Sequence, residues 1–183
     1  MFGGITIIAE VKMRSPFGFI SKRSWEEQFK LAEEIGDIVS VHTDSRWGGS
    51  LDEIRKVRTR TKKPILAKGI HENDDMIDAA VKAGADYVLV VGRMPEVHHD
   101  VVWIEPNSIA QLKTIPDTFK VVWNARDINT GKPKPETFGQ ARDAWQGWLC
   151  QASFIKSIND VEGGANGILV GQGLEEFAKS IDD

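Results

Sequence analysis

The chain has 183 residues, 41% of them apolar and 27% charged, which suits one soluble domain (1–183) with a sizeable core rather than two. Its net charge of −4 gives no overall attraction to nucleic acid or to an anionic membrane, so an anionic ligand needs local cations to hold it. The single cysteine, Cys150, excludes an internal disulfide framework and fits a reducing compartment.

No apolar run reaches the length of a membrane span, and residues 1–10 lack the basic start and cleavage site of a signal peptide. A cytoplasmic protein is expected. In chain order, short β-branched runs alternate with amphipathic stretches. Residues 5–11 read as a first strand, and Ser24 caps a helix over 25–35 with Glu26 and Glu27 in its first turn. Residues 37–42 form a second strand, followed by a helix over 51–60 that Ser50 caps in the same way. A third strand over 64–68 leads to Asn73 and a helix over 74–83. There Met76, Ile77, Ala80 and Val81 recur at helical spacing, and Gly84 ends it. Strands four and five cover 85–91 and 100–105. Then come a helix over 108–114, a sixth strand over 118–123 and, after the loop 131–135, a helix over 135–144. A seventh strand (147–152), a helix (156–162), an eighth strand (165–170) and a last helix (174–181) complete the chain.

Alternating strands and helices imply a parallel sheet with right-handed crossovers, and the near-continuous apolar character of the strands fits cover on both faces. Eight strands favour a closed (β/α)8 TIM barrel over an open doubly wound sheet. One crossover is abnormal, because only residues 92–99, with Pro95 among them, separate strands four and five. Eight residues span roughly 26 Å when extended, against about 17 Å for a five-residue strand, so the chain can return without a helix. The fourth helix is therefore expected to be missing. The flank it leaves must be polar, covered by other segments, or buried in a homo-oligomer.

In such a barrel alternate residues face the axis, and the C-terminal strand ends carry the site. Those ends hold a polar set: Glu10 and Lys12 on strand one, Lys68 on three and Glu105 on five. Asn124 and Arg126 follow strand six, Gln151 and Ser153 strand seven, and Gly171-Gln172-Gly173 strand eight. Buried charge is costly unless paired, so several charges at one end point to a pocket rather than a core. Glycines freeing backbone N–H groups before a helix make a suitable phosphate cradle, so the expected partner is a small phosphorylated molecule. The four histidines carry no metal signature: His98 and His99 lie in the shortened loop, and His42 and His71 lack Cys or carboxylate at ligand spacing. Cys150 points opposite to Gln151 and reads as a buried residue.

These residues carry a family resemblance. The run Ile7-Ile8-Ala9-Glu10-Val11-Lys12-Met13-Arg14-Ser15-Pro16 closely resembles the opening strand of indole-3-glycerol-phosphate synthases. So do Val39-Ser40-Val41-His42-Thr43-Asp44, Trp47-Gly48-Gly49-Ser50-Leu51, Pro64-Ile65-Leu66-Ala67-Lys68, Asn124-Ala125-Arg126-Asp127 and Gly167-Ile168-Leu169-Val170-Gly171. The resemblance implies ring closure of a phosphorylated, anthranilate-derived substrate with loss of carbon dioxide and water, and no metal or organic cofactor. Lys68 looks like the general acid, Lys12 like the partner of a substrate anion, and Glu105 like the base or proton relay. Glu10 would hold and tune the lysines. Asn124, Arg126 and Ser15 would bind the anthranilate carboxylate, and backbone amides around Ser153, Gly171 and Gln172 the phosphate. Trp47 stands where the family has another aromatic; it either stacks on the anthranilate ring or packs under a loop.

Four departures stand out. The family's N-terminal helical extension is expected to be missing, because Ile7 already lies in the first strand, and so is the fourth helix. Gln151-Ala152-Ser153 stands where the family usually has Glu-Ser-Gly, and Lys68-Gly69-Ile70 replaces Lys-Asp-Phe. Two rivals follow. A phosphoribosylanthranilate isomerase would want a cysteine base at the end of strand one, where Glu10 and Lys12 stand. A degenerate barrel that only binds a phosphorylated ligand or a partner would fit the loss of an acid at Gln151.

Overall fold

A computed structural model describes residues 3–182. Eight parallel strands close on themselves in sequence order: β1 (Thr6–Glu10), β2 (Ile38–His42), β3 (Ile65–Lys68), β4 (Tyr87–Val91), β5 (Val102–Glu105), β6 (Lys120–Asn124), β7 (Leu149–Ala152) and β8 (Gly167–Val170). The expected TIM-type α/β barrel is the observed fold. Its outer layer holds α1 (Trp25–Ile35), α2 (Leu51–Arg58), α3 (Asp74–Ala83), a one-turn α4 (Ile109–Leu112), α5 (Phe138–Ala144) and α6 (Leu174–Asp182). No helix among the described residues is long and apolar enough to cross a membrane.

Strand parity divides the apolar side chains into two cores. Ile7, Ala9, Val39, Val41, Val88, Val90, Val121 and Ile168 face the helices. Ile8, Leu66, Leu89, Trp103, Val122, Cys150 and Leu169 fill the lumen. At the N-terminal end of the strands Tyr87, Trp103 and Trp148 adjoin ring to ring, with centroids 5.0 Å apart in each pair, under the Lys120 ammonium. That aromatic plug closes the lower end.

Most strands begin one or two residues later than the apolar pattern suggested, and the cause is chemical. Asp37, Asp86 and Asn166 precede β2, β4 and β8. Their side chains accept the backbone N–H of Ile7 (2.8 Å), Ile65 (2.8 Å) and Leu149 (2.9 Å) on neighbouring strands. They clasp the sheet from outside its ladder. Ser24 and Glu27 form the capping box of α1, and Asn73 accepts the Met76 N–H at the start of α3. Ser50 occupies the cap position of α2 but makes no side-chain bond there.

One expectation needs correction. The helix expected over 156–162 is a single 3₁₀ turn, Ile158–Asp160. Asp160 turns its carboxylate back onto the N–H groups of Lys156 and Ser157, both at 2.8 Å, and the glycines at 163 and 164 give the chain no reason to continue coiling. The fourth helix is missing as expected, and the outward side chains of β4 and β5 are buried within the chain. Val88 and Val90 are fully buried, and Val102 and Ile104 are 3% and 2% exposed. Residues 92–101 join β4 to β5 as a helix-free strap, with Pro95 buried. The strap is tied to α3 by Arg93 on Asp74 (2.8 Å) and by the Glu96 N–H on the same carboxylate (3.1 Å).

Candidate functional site

The plug leaves the C-terminal strand ends as the open end of the barrel. There parity turns Glu10, His42, Lys68, Glu105 and Asn124 inward, where Glu10, His42, Glu105 and Asn124 are buried. The Lys68 ammonium stands 3.2 Å from Glu10 Oε2, and its side chain is 14% exposed. Burial raises the pKa of Glu10, but the charges of Lys68 and Lys12 outweigh it and hold the carboxyl at about 2. Among the described residues its Oε1 has no hydrogen-bond partner, so the carboxylate keeps an unused acceptor. Gly171 makes room for this group: a Cβ there would stand 2.4 Å from Glu10 Oε2.

Lys12 lies deep in the same site. Burial, with Lys68 and Arg126 adding to it against the attraction of Glu10, brings its pKa from 10.5 down to about 8. Glu105 shows the opposite effect. Burial pushes its pKa up against the nearby Lys68 and Lys134 charges, which suits a carboxyl that holds and releases a proton. Asn124 joins the two sides: its Nδ2 lies 3.5 Å from Glu105 Oε2, and its Oδ1 accepts from Ser153 Oγ at 2.7 Å and from the Arg126 N–H at 3.0 Å.

The cavity has two lobes that share Lys12, Lys68, Arg126 and Ser153. The larger, about 310 Å³, runs from Glu10 to Gly171, Gln172 and Gly173 ahead of α6, with Lys156 on its wall. The narrower lobe is walled by Phe17, Trp47, Ile70, Leu89, Val91 and Ile128, with His42, Glu105 and Asn124 as its polar groups. Three cations thus converge where the chain as a whole is negative. One lobe suits a compact anion, the other a flat apolar ring.

Ten of the twelve residues singled out from sequence therefore meet around this cavity; Gln151 and Ser15 do not. Gln151 faces away from the axis: its Nε2 donates to the Asp160 carbonyl at 2.7 Å and its Oε1 accepts the Glu162 N–H at 2.9 Å. The neighbour turned into the lumen is Ala152, so β7 sends no acid or amide to the pocket. Gln151→Ala is expected to lower stability by about 1–3 kcal/mol through the orphaned backbone groups, with the site unaltered; urea unfolding midpoints measure it. Ser15 is spent on its own loop, where its Oγ accepts the Phe17 and Phe19 N–H groups at 3.2 and 3.3 Å. Trp47 lies flat on His42 with centroids 4.7 Å apart and lines the narrow lobe.

Sequence reasoning missed His42, Lys134, Lys156 and Phe154. His42 was legible, since it ends β2 on the same face as Ser40 but was weighed only as a metal ligand. Lys134 reaches the β5 end from a loop, with Nζ 3.4 Å from the Pro106 carbonyl. Phe154 adopts a φ of 58° and lies under the Arg126 guanidinium, 4.4 Å from ring centroid to Cζ. No local pattern announces either.

Fold and site together define a TIM-barrel α/β protein with charged groups gathered at the C-terminal strand ends. Solved structures agree on the fold. The chain aligns with monomers of phosphoribosylanthranilate isomerase from Thermotoga maritima at a TM-score of 0.62 and 14% identity, covering 97% of this chain and 94% of that one. With a 3-hexulose-6-phosphate synthase the TM-score is 0.66 at 19% identity, covering 96% and 99%. The sequence is more specific. Residues 3–102, more than half of the chain, match the family model for indole-3-glycerol phosphate synthase, and the chain belongs to that family. It is 45% identical over 94 residues to the indole-3-glycerol phosphate synthase of Aquifex aeolicus and 39% identical over 87 residues to that of Sulfurisphaera tokodaii. These matches cover 50% and 46% of this chain but only 37% and 35% of the relatives. Glu10, Lys12, Trp47 and Lys68 lie inside the family match; Glu105, Asn124 and Arg126 lie beyond it.

Proposed function

We propose that this chain closes 1-(2-carboxyphenylamino)-1-deoxyribulose 5-phosphate to indole-3-glycerol phosphate, releasing carbon dioxide and water. The observation that carries the reading is the placing of Lys68 and Lys12 about the Glu10 carboxylate, with a proton-holding Glu105 in the same cavity. The phosphate would enter the larger lobe, where Gly171 and Gln172 lead into the N-terminus of α6 and Lys156 adds charge. The aryl ring would occupy the narrow lobe against Trp47, its carboxylate facing Lys12 and the Arg126 fork.

In the first step the ring carbon bearing the carboxylate bonds to the ketone carbon, and the carbonyl π pair moves to oxygen. Lys68 delivers the proton that makes it a hydroxyl. Loss of carbon dioxide returns a pair to the ring. Glu105 then gives its proton to the departing hydroxyl, which leaves as water with the C–O pair, and the carboxylate takes back a proton from the methylene carbon beside the nitrogen, whose C–H pair forms the new ring double bond. Glu10, paired with Lys68, keeps that ammonium aimed.

The test is direct. The purified chain is incubated with this substrate and indole-type fluorescence is followed, with Lys68→Met as the control. Product from the parent and not from the variant supports the reading. One observation favours a second reading, a barrel that binds without catalysis: Ala152 leaves β7 without an inward acid. Absence of product together with measurable binding of the substrate would favour it.

A further inference from the structure

The reaction as written gives β2 no role, yet β2 ends in a side chain placed for one. His42 and Lys68 are register partners across the β2–β3 pair and line the same narrow lobe. His42 is 8% exposed. Its Nδ1 accepts the Asp44 N–H at 3.1 Å, which assigns the ring proton of the neutral imidazole to Nε2. Among the described residues Nε2 has no protein partner. Trp47 lies against the imidazole with 5° between the ring planes, fixing the direction in which Nε2 can point.

We propose that His42 is a catalytic residue of this chain, a second hydrogen-bond donor that joins Lys68 on the substrate's ketone oxygen. The inference rests on the ring-closure reading above. As the new carbon–carbon bond forms, negative charge develops on that oxygen. Lys68 supplies the proton that ends up there, while the Nε2–H remains on His42 and its hydrogen bond strengthens with the developing charge. A donor of this kind must be neutral, because an imidazolium would set a third cation beside Lys12 and Lys68. The site enforces neutrality: burial, helped by Lys68 and Lys12 against the pull of Glu10 and Asp44, keeps the pKa of His42 at about 3. With Nδ1 occupied and the ring uncharged, His42 can donate but is not free to act as a base.

Two substitutions separate donation from packing. His42→Phe keeps an aromatic face for Trp47 and removes the donor; His42→Gln restores an N–H and removes the stack. The expected result is a kcat about 10²-fold lower for His42→Phe with KM within about threefold, and at least a tenfold recovery in His42→Gln. A His42→Phe enzyme with parental kcat overturns the proposal while leaving the ring-closure reading intact. No product from the parent sinks that reading itself. Nitrogen-15 spectra of the parent at pH 7 give a test that needs no variant to fold. A neutral ring protonated at Nε2, whose proton shifts downfield on adding the alcohol obtained by reducing the substrate's ketone, is the expected signature. An imidazolium, an Nδ1–H tautomer or an unmoved Nε2 proton refutes it.

Discussion

Lys68→Met is expected to lower kcat by a factor of about 10²–10⁴, the usual worth of a positioned general acid. Methionine preserves the volume of the side chain and deletes the proton and the charge. The substitution has a second effect that must be measured beside the first. Glu10 is buried, and in the parent Lys68 contacts its carboxylate at 3.2 Å. Removing one member of a buried ion pair costs about 3–5 kcal/mol, so the variant should unfold at lower urea as well as turn over slowly. Lys68→Arg divides the two effects. It keeps the cation beside Glu10, and with it most of the stability. A guanidinium does not surrender a proton near neutral pH, so turnover should stay low. An arginine variant as fast as the parent would remove Lys68 from the acid's role.

The second large effect is a pH limb set by Lys12. Its pKa in the folded chain is about 8, so below that pH the ammonium is charged and attracts the substrate's anions, and above it the attraction is lost. The expected profile of kcat/KM falls about tenfold per unit as pH rises beyond 8. Unfolding does not explain such a fall. A lysine whose folded pKa lies below its ordinary 10.5 makes the native state more stable, not less, as pH rises from 8 towards 10.5. Lys12→Arg holds its charge throughout, and its profile should stay flat to beyond pH 10. A limb near 8 that survives in Lys12→Arg assigns the titration to another group.

Much of this architecture could be read from residue order, because parallel strands covered on both faces leave a strong apolar signature. The eight runs, the missing helix after β4 and the charged strand ends all depend on local spacing that the barrel preserves. The readings that failed depend on direction and competition instead. Gln151 was placed in the pocket because it stands at the end of strand seven; parity counted from Cys150, a lumen residue, turns it outward. The 156–162 stretch has helix-like apolar spacing, but Asp160 satisfies the backbone of its own turn first. His42 was visible at the end of strand two but was weighed only as a metal ligand. Lys134 and Phe154 reach the site through loop geometry that no spacing rule encodes.

The strap between β4 and β5 carries a lesson about what an outer helix is for. Leu89 pairs with Trp103 only fourteen residues on, whereas Val39 pairs with Ile65 twenty-six residues on. Closing the shorter loop is easier by only about 0.5 kcal/mol, since the entropy of closure grows with the logarithm of length. Discarding a helix therefore changes the chain's freedom very little. What has to be kept is shelter from water for the outward valines and isoleucine, and here they stay buried without that helix. The trimming such a barrel tolerates is limited by roofing, not by reach.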